Sequence, residues 1–134
     1  MIGSRSAHYR LLAGVVAGGA VACLLTRLAR VEVDGDSMRP TLDPGDRLIV
    51  LRGGRARTGD LVVLPDPRVR ARVMVKRVAR VDRGPDGDVV VVRGDNPAAS
   101  TDSRAFGPVP AASIRGRVVY RYLPAERRGR PSYP

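Results

Sequence analysis

The sequence predicts a mostly-β domain preceded by one apolar helix, and three observations carry that prediction. From Val31 onward, short Val-rich runs alternate with Gly, Pro and Asp punctuation. No stretch after Arg30 shows a helical period in its apolar residues. Before that point, residues 11–26, "LLAGVVAGGAVACLLT", carry no charge at all.

The apolar segment comes first. It is bracketed by Arg5 and Arg10 on one side and Arg27 and Arg30 on the other. As a helix it would reach roughly 24 Å, against about 30 Å of bilayer hydrocarbon, and flanking arginines can snorkel to extend it. The first reading is a single-pass membrane anchor. A cleaved signal peptide stays open, because "AVA" at 20–22 has the small-residue cleavage pattern. So does a surface-lying or protein-buried helix. Arginines on both flanks leave the orientation undecided. The β runs follow at 31–33, 47–51, 61–64, 69–81, 88–93 and 115–122, with "RGPDGD" (83–88) as a hairpin turn. Residues 125–134, "AERRGRPSYP", are polar and expected to be disordered. The chain thus divides into a basic, apolar N-terminal segment (1–30), one β domain (31–124) and a tail.

Composition narrows the chemistry. With 43% hydrophobic but only 4% aromatic residues, the core must be built from Val, Leu, Ala and Ile. The net charge of +11 would suit nucleic acid or anionic lipid. However, the arginines are spread along the chain and base-stacking aromatics are nearly absent, which argues against nucleic acid. A membrane surface fits better. Cys23 is the one cysteine, so no intramolecular disulfide and no cysteine-cluster metal site is expected. His8 is the one histidine and precedes the apolar run, a poor place for a Ser-His-Asp triad. No cofactor is expected.

One residue stands out against this background. The chain has 23 arginines and a single lysine, Lys76. A neutral lysine amine can activate a serine, whereas arginine cannot be deprotonated in a protein. Bringing a lysine from about 10.4 to about 7 costs about 4.6 kcal/mol, which desolvation can supply. Strand alternation puts Met74, Lys76 and Val78 on one face and Arg77 on the other. From the strand alone, an ordinary surface lysine is an equal reading.

Two further stretches supply partners. "DGDSMRPTLDPGD" (34–46) places Ser37 in a turn after a short strand, with Pro40 fixing the backbone. Such a bend exposes a hydroxyl and points its own N–H toward a developing oxyanion; serines in such turns are also ordinary turn formers. "RGDNPAASTDSRAFGPVP" (93–110) reads as a polar loop in which Asp102 and Arg104 pair and Ser100 reaches a lysine amine.

Taken together, "GDSMRPTL" (35–42), "GDLVVL" (59–64), "VKRV" (75–78) and "GDNPAASTDSR" (94–104) resemble, in order, the boxes of the type I signal peptidase family of serine endopeptidases. The resemblance covers about residues 31–123. It implies a catalytic core of curled antiparallel sheets, with Ser37 as nucleophile and Lys76 as general base. Ser100 would orient the lysine, Asp102 and Arg104 would brace the loop, and Met38 would border the substrate cleft. No metal is implied. The implied partner is a precursor protein whose leader has small residues before the cut. Some bacterial members have a serine two positions before the nucleophile to complete the oxyanion hole, where this chain has Gly35. The large inserted domain of some members is missing. This compactness resembles the branch that matures nickel-containing superoxide dismutase, and also the mitochondrial inner-membrane peptidases. The first is the favoured expectation, with a general membrane-bound signal peptidase as the alternative. A catalytically inactive membrane-tethered β module and a self-cleaving repressor are the readings from other classes.

Overall fold

The computed structural model describes residues 17–132. Residues 17–26 form a helix, α1, exposed throughout. The rest of the expected anchor, residues 11–16, lies outside the described residues, as does His8. Among the described residues no helix is long and apolar enough to cross a membrane.

The domain is one seven-stranded antiparallel sheet. Its strands are β1 (Leu28–Glu32), β2 (Arg47–Arg52), β3 (Leu61–Pro65), β4 (Val73–Asp82), β5 (Val89–Arg93), β6 (Val109–Pro110) and β7 (Gly116–Leu123). Their spatial order is β1-β2-β7-β3-β4-β5-β6, so β7 returns late and inserts between β2 and β3. The curled sheets implied by the resemblance are thus one open sheet, with β1 and β6 at its edges.

β3 explains how so aromatic-poor a chain builds a core. Its side chains alternate faces. Leu61 and Val63 enter one cluster with Val33, Met38, Leu42, Leu48, Val50 and Val118. Val62 and Leu64 enter a second with Met74, Val78, Val90, Val92 and Val109. Buried on both faces, β3 reads in sequence as an unbroken apolar run. The second cluster forms the apolar floor around Lys76, which pairs across the sheet with Val62.

Several boundaries differ from expectation. β4 begins at Val73, not at residue 69. The Asp66 carboxylate accepts from the Arg68 N–H and guanidinium, and Asp66 N–H donates to Arg72 O at 2.8 Å, closing residues 66–72 into a turn. β6 and a one-turn helix, α2 (Ser103–Phe106), lie inside the polar loop. The tail expected to be disordered folds back as a 3-10 turn (Ala125–Arg127), and Gly129 bridges to Arg121 of β7. A buried carboxylate is the reason. The Arg127 guanidinium reaches Asp46, which is 2% exposed.

Candidate active site

Ser37 sits in the turn that joins β1 to β2. Val33 N–H donates to Asp46 O and Gly45 N–H to Val33 O, both at 2.8 Å, tying the base of this loop shut. Met38 and Leu42 anchor the loop in the first core cluster. Pro40 follows a cis peptide bond. Gly35 has φ +79°, a left-handed backbone, with open space where a Cβ would lie. A serine there would meet no steric obstacle but would strain the backbone by about 1–2 kcal/mol. In this loop the conformation itself favours glycine over a hydroxyl.

Lys76 arrives from β4. As alternation predicts, Met74, Lys76 and Val78 are the buried face of the strand, and Lys76 is 3% exposed. Its Nζ donates to Ser100 Oγ at 3.1 Å. Burial pushes the amine below the ordinary lysine range; the Asp102 charge opposes that shift, and Arg72 reinforces it.

Ser100 relays this contact onward. Its hydroxyl donates to Asp102 Oδ2 at 2.9 Å, so its lone pairs face the lysine. Asp102 is buried and caps α2. It accepts from the Gly94 N–H at 2.9 Å, the Arg104 N–H at 3.1 Å, and Arg104 Nε and NH2 at 3.0 and 2.9 Å. Burial alone would raise its pKa, but the hydrogen bonds from Arg104, Gly94 and Ser100 together hold the carboxyl well below its usual range.

These elements converge on one cleft of about 230 Å³. Its walls include residues 31–38 on one side and 72–76 on the other, so Ser37 and Lys76 face a common space. Met38 belongs to this wall, although it is only 1% exposed and mainly packs in the core. The structure therefore brings together Ser37, Met38 and Lys76 around the cleft. Ser100, Asp102 and Arg104 form a chain of hydrogen bonds behind the lysine.

Sequence reasoning missed a second set of residues. Asn96 N–H donates to Ser37 O at 2.9 Å, and Asn96 Nδ2 to Asp36 O at 3.1 Å, stitching the serine turn to the Ser100 loop. Asp95 accepts from Arg77 Nε and NH2 at 2.8 and 2.7 Å and from Thr41 Oγ1 at 2.6 Å. Gly94 lies at the crossing point. A side chain there would overlap Ser100 and bring a carbon within 2.6 Å of Ser37 O. The "GDN" triplet itself was the available signal, since a glycine beside two hydrogen-bonding residues marks a close backbone approach.

A sheet that carries a buried lysine and a turn serine to one cleft defines a peptidase-like β domain. The family described as "Peptidase S24-like" matches residues 23–119. The chain belongs to that family, and to the type I signal peptidases whose motifs it resembles. Mitochondrial ATP-independent inner membrane protease subunit 1a of Arabidopsis thaliana is 35% identical, over 74% of this chain and 73% of the relative. Mitochondrial inner membrane protease subunit 1 of Xenopus tropicalis is 32% identical, over 89% and 84%. A probable signal peptidase I-1 of Synechocystis sp. is 28% identical, over 72% of each chain.

Proposed function

We propose that this protein is a membrane-associated serine endopeptidase that removes N-terminal leader peptides, with Ser37 as nucleophile and Lys76 as general base. One observation carries the reading. The only lysine of the chain is buried on an apolar strand face and lines the same cleft as a turn serine. The membrane location rests on the relatives' names as inner membrane proteases and on the apolar run at residues 11–26.

The chemistry follows from the hydrogen bonds. A neutral Lys76 amine that gives one N–H to Ser100 Oγ keeps its lone pair for another partner. It takes the proton of Ser37 as the hydroxyl oxygen attacks the scissile carbonyl. The ammonium so formed protonates the departing amine, leaving an acyl-enzyme on Ser37. A water, deprotonated by the same amine, hydrolyses the ester and frees Ser37. Asp102 stays ionised throughout and holds Ser100 in place. The Ser37 N–H serves the oxyanion, while Gly35 supplies no hydroxyl.

The test is processing of a labelled precursor by wild type, Ser37→Ala and Lys76→Arg. Both variants are expected to lose about 10³-fold or more in kcat/KM. Undiminished cleavage by Lys76→Arg would refute the dyad. Two substrates resolve the branch, a secretory preprotein and a nickel superoxide dismutase precursor. Cleavage of the second alone would make the protein a dedicated maturase.

A further inference from the structure

At the other end of β1, away from the serine turn, lies a cleft that peptide hydrolysis does not use. It has a volume of about 330 Å³ and is lined by Arg27, Arg52, Arg55, Arg57 and Arg117. No carboxylate lines it. Asp60, outside the lining, is 4.0 Å from Arg117 and also accepts the backbone N–H of Arg57. Among the described residues, the guanidinium groups of Arg27, Arg52, Arg55 and Arg57 have no carboxylate partner. Four cations gathered without counter-charge repel one another, so the cleft suits an anion.

A second, independent feature ends at the same place. α1 runs straight into Arg27, and Arg52 N–H donates to Arg27 O at 2.7 Å, fixing the helix end to the end of β2. Val21, Leu24 and Leu25 are 58%, 54% and 61% exposed. At spacings of three and four they share one face of the helix. An uncovered apolar helix face beside unpaired arginines fits the boundary between lipid headgroups and acyl chains. It does not fit nucleic acid, since no aromatic side chain lines the cleft.

We propose that this arginine cleft docks the domain on a bilayer by holding the phosphate of anionic phospholipid headgroups, while the apolar face of α1 meets the acyl boundary. The site is separate from the Ser37 cleft, so either assignment can fail without the other.

The full chain is floated with vesicles of pure phosphatidylcholine and of phosphatidylcholine containing phosphatidylglycerol. The ratio of the two partition coefficients isolates the headgroup contribution from whatever the apolar segment adds. Wild type is expected to favour the anionic vesicles. Arg55→Gln/Arg57→Gln should lower the ratio about 25-fold, at about fivefold per arginine. Cleavage of a soluble leader peptide should not change. Arg83→Gln/Arg130→Gln removes the same charge from exposed positions outside the cleft and should leave the ratio near wild type. An equal loss in both double variants would overturn the proposal, since net charge alone would then explain binding. An unchanged ratio in Arg55→Gln/Arg57→Gln would overturn it too. So would tight binding of inorganic phosphate to the vesicle-free protein, lost in Arg55→Gln/Arg57→Gln, together with no preference of wild type for the anionic vesicles, which would make the ligand a free anion.

Discussion

Lys76 is useful as a base only while its amine is neutral, and the sign of its shift sets two measurable slopes. Its pKa in the folded protein lies below the ordinary value of 10.5, with desolvation the largest cause. Raising the pH therefore increases the neutral fraction, and kcat/KM should climb with one proton's dependence to a plateau below the ordinary lysine range. A midpoint at or above 10.5 would contradict a desolvated base. Stability has its own sign. Between the folded and unfolded pKa values the unfolded chain holds the extra proton, so stability rises with pH across that window. Replacing Lys76 with Met, a side chain of similar length without a charge, should abolish that slope in urea titrations. It should also leave the protein more stable than wild type at the low-pH end of the window.

At the scale of elements, three segments must hold registration for Ser37, Lys76 and Ser100 to meet, and Asp95 touches all three. It binds Arg77 of β4 in a two-pronged contact, Thr41 of the serine loop, and by its own position the loop carrying Ser100. Asp95 is nearly buried, and the Arg77 side chain is 19% exposed. Asp95→Asn leaves that guanidinium without its carboxylate and should cost about 3 kcal/mol. Arg77→Lys should not preserve the fit, because an ammonium cannot span both carboxylate oxygens. Thermal unfolding and peptide cleavage measured together should fall in both variants. This junction also marks where sequence reading stops. Strand alternation placed Lys76 on one face with Met74 and Val78 and Arg77 on the other, because the period-two alternation of faces is a local property. Nothing local links Thr41 to Asp95 across 54 positions. Residues 69–72, the second half of the turn at 66–72, looked like strand for a different reason. Their Val and Arg residues suit a β run, and the turn is closed by Asp66, whose buried carboxylate holds Arg68 and whose N–H donates to Arg72 O. β6, two residues long, carries too little pattern to be read at all.

Across the whole molecule, the C-terminal residues act as a strap on the loop that carries the serine. Asp46 accepts from Arg121 NH1 at 3.2 Å, Arg127 NH1 at 3.1 Å and the Asp43 N–H at 3.0 Å. Arg127 also pairs with Asp43, and Arg121 NH1 donates to Thr41 O at 3.0 Å. The segment that composition marks as a loose tail is therefore bound to residues 41–46, only a few positions from Ser37. Two arginines converge on a carboxylate that is 2% exposed, so losing one still leaves Asp46 paired, whereas losing the carboxylate takes from Arg121 its carboxylate contact and leaves Arg127 only the more exposed Asp43. The expected ranking follows. Arg127→Gln, at a partly exposed position, should cost about 1 kcal/mol and lower Tm by roughly 4–8 °C. Asp46→Asn should cost about 3 kcal/mol or more. Ending the chain after Pro124 should fall nearer the first, since Arg121 remains. If the strap also positions the serine, the truncated protein should show a lower kcat at temperatures well below its Tm, with KM for a short leader peptide little changed. Full kcat in the truncated protein would confine the strap to stability.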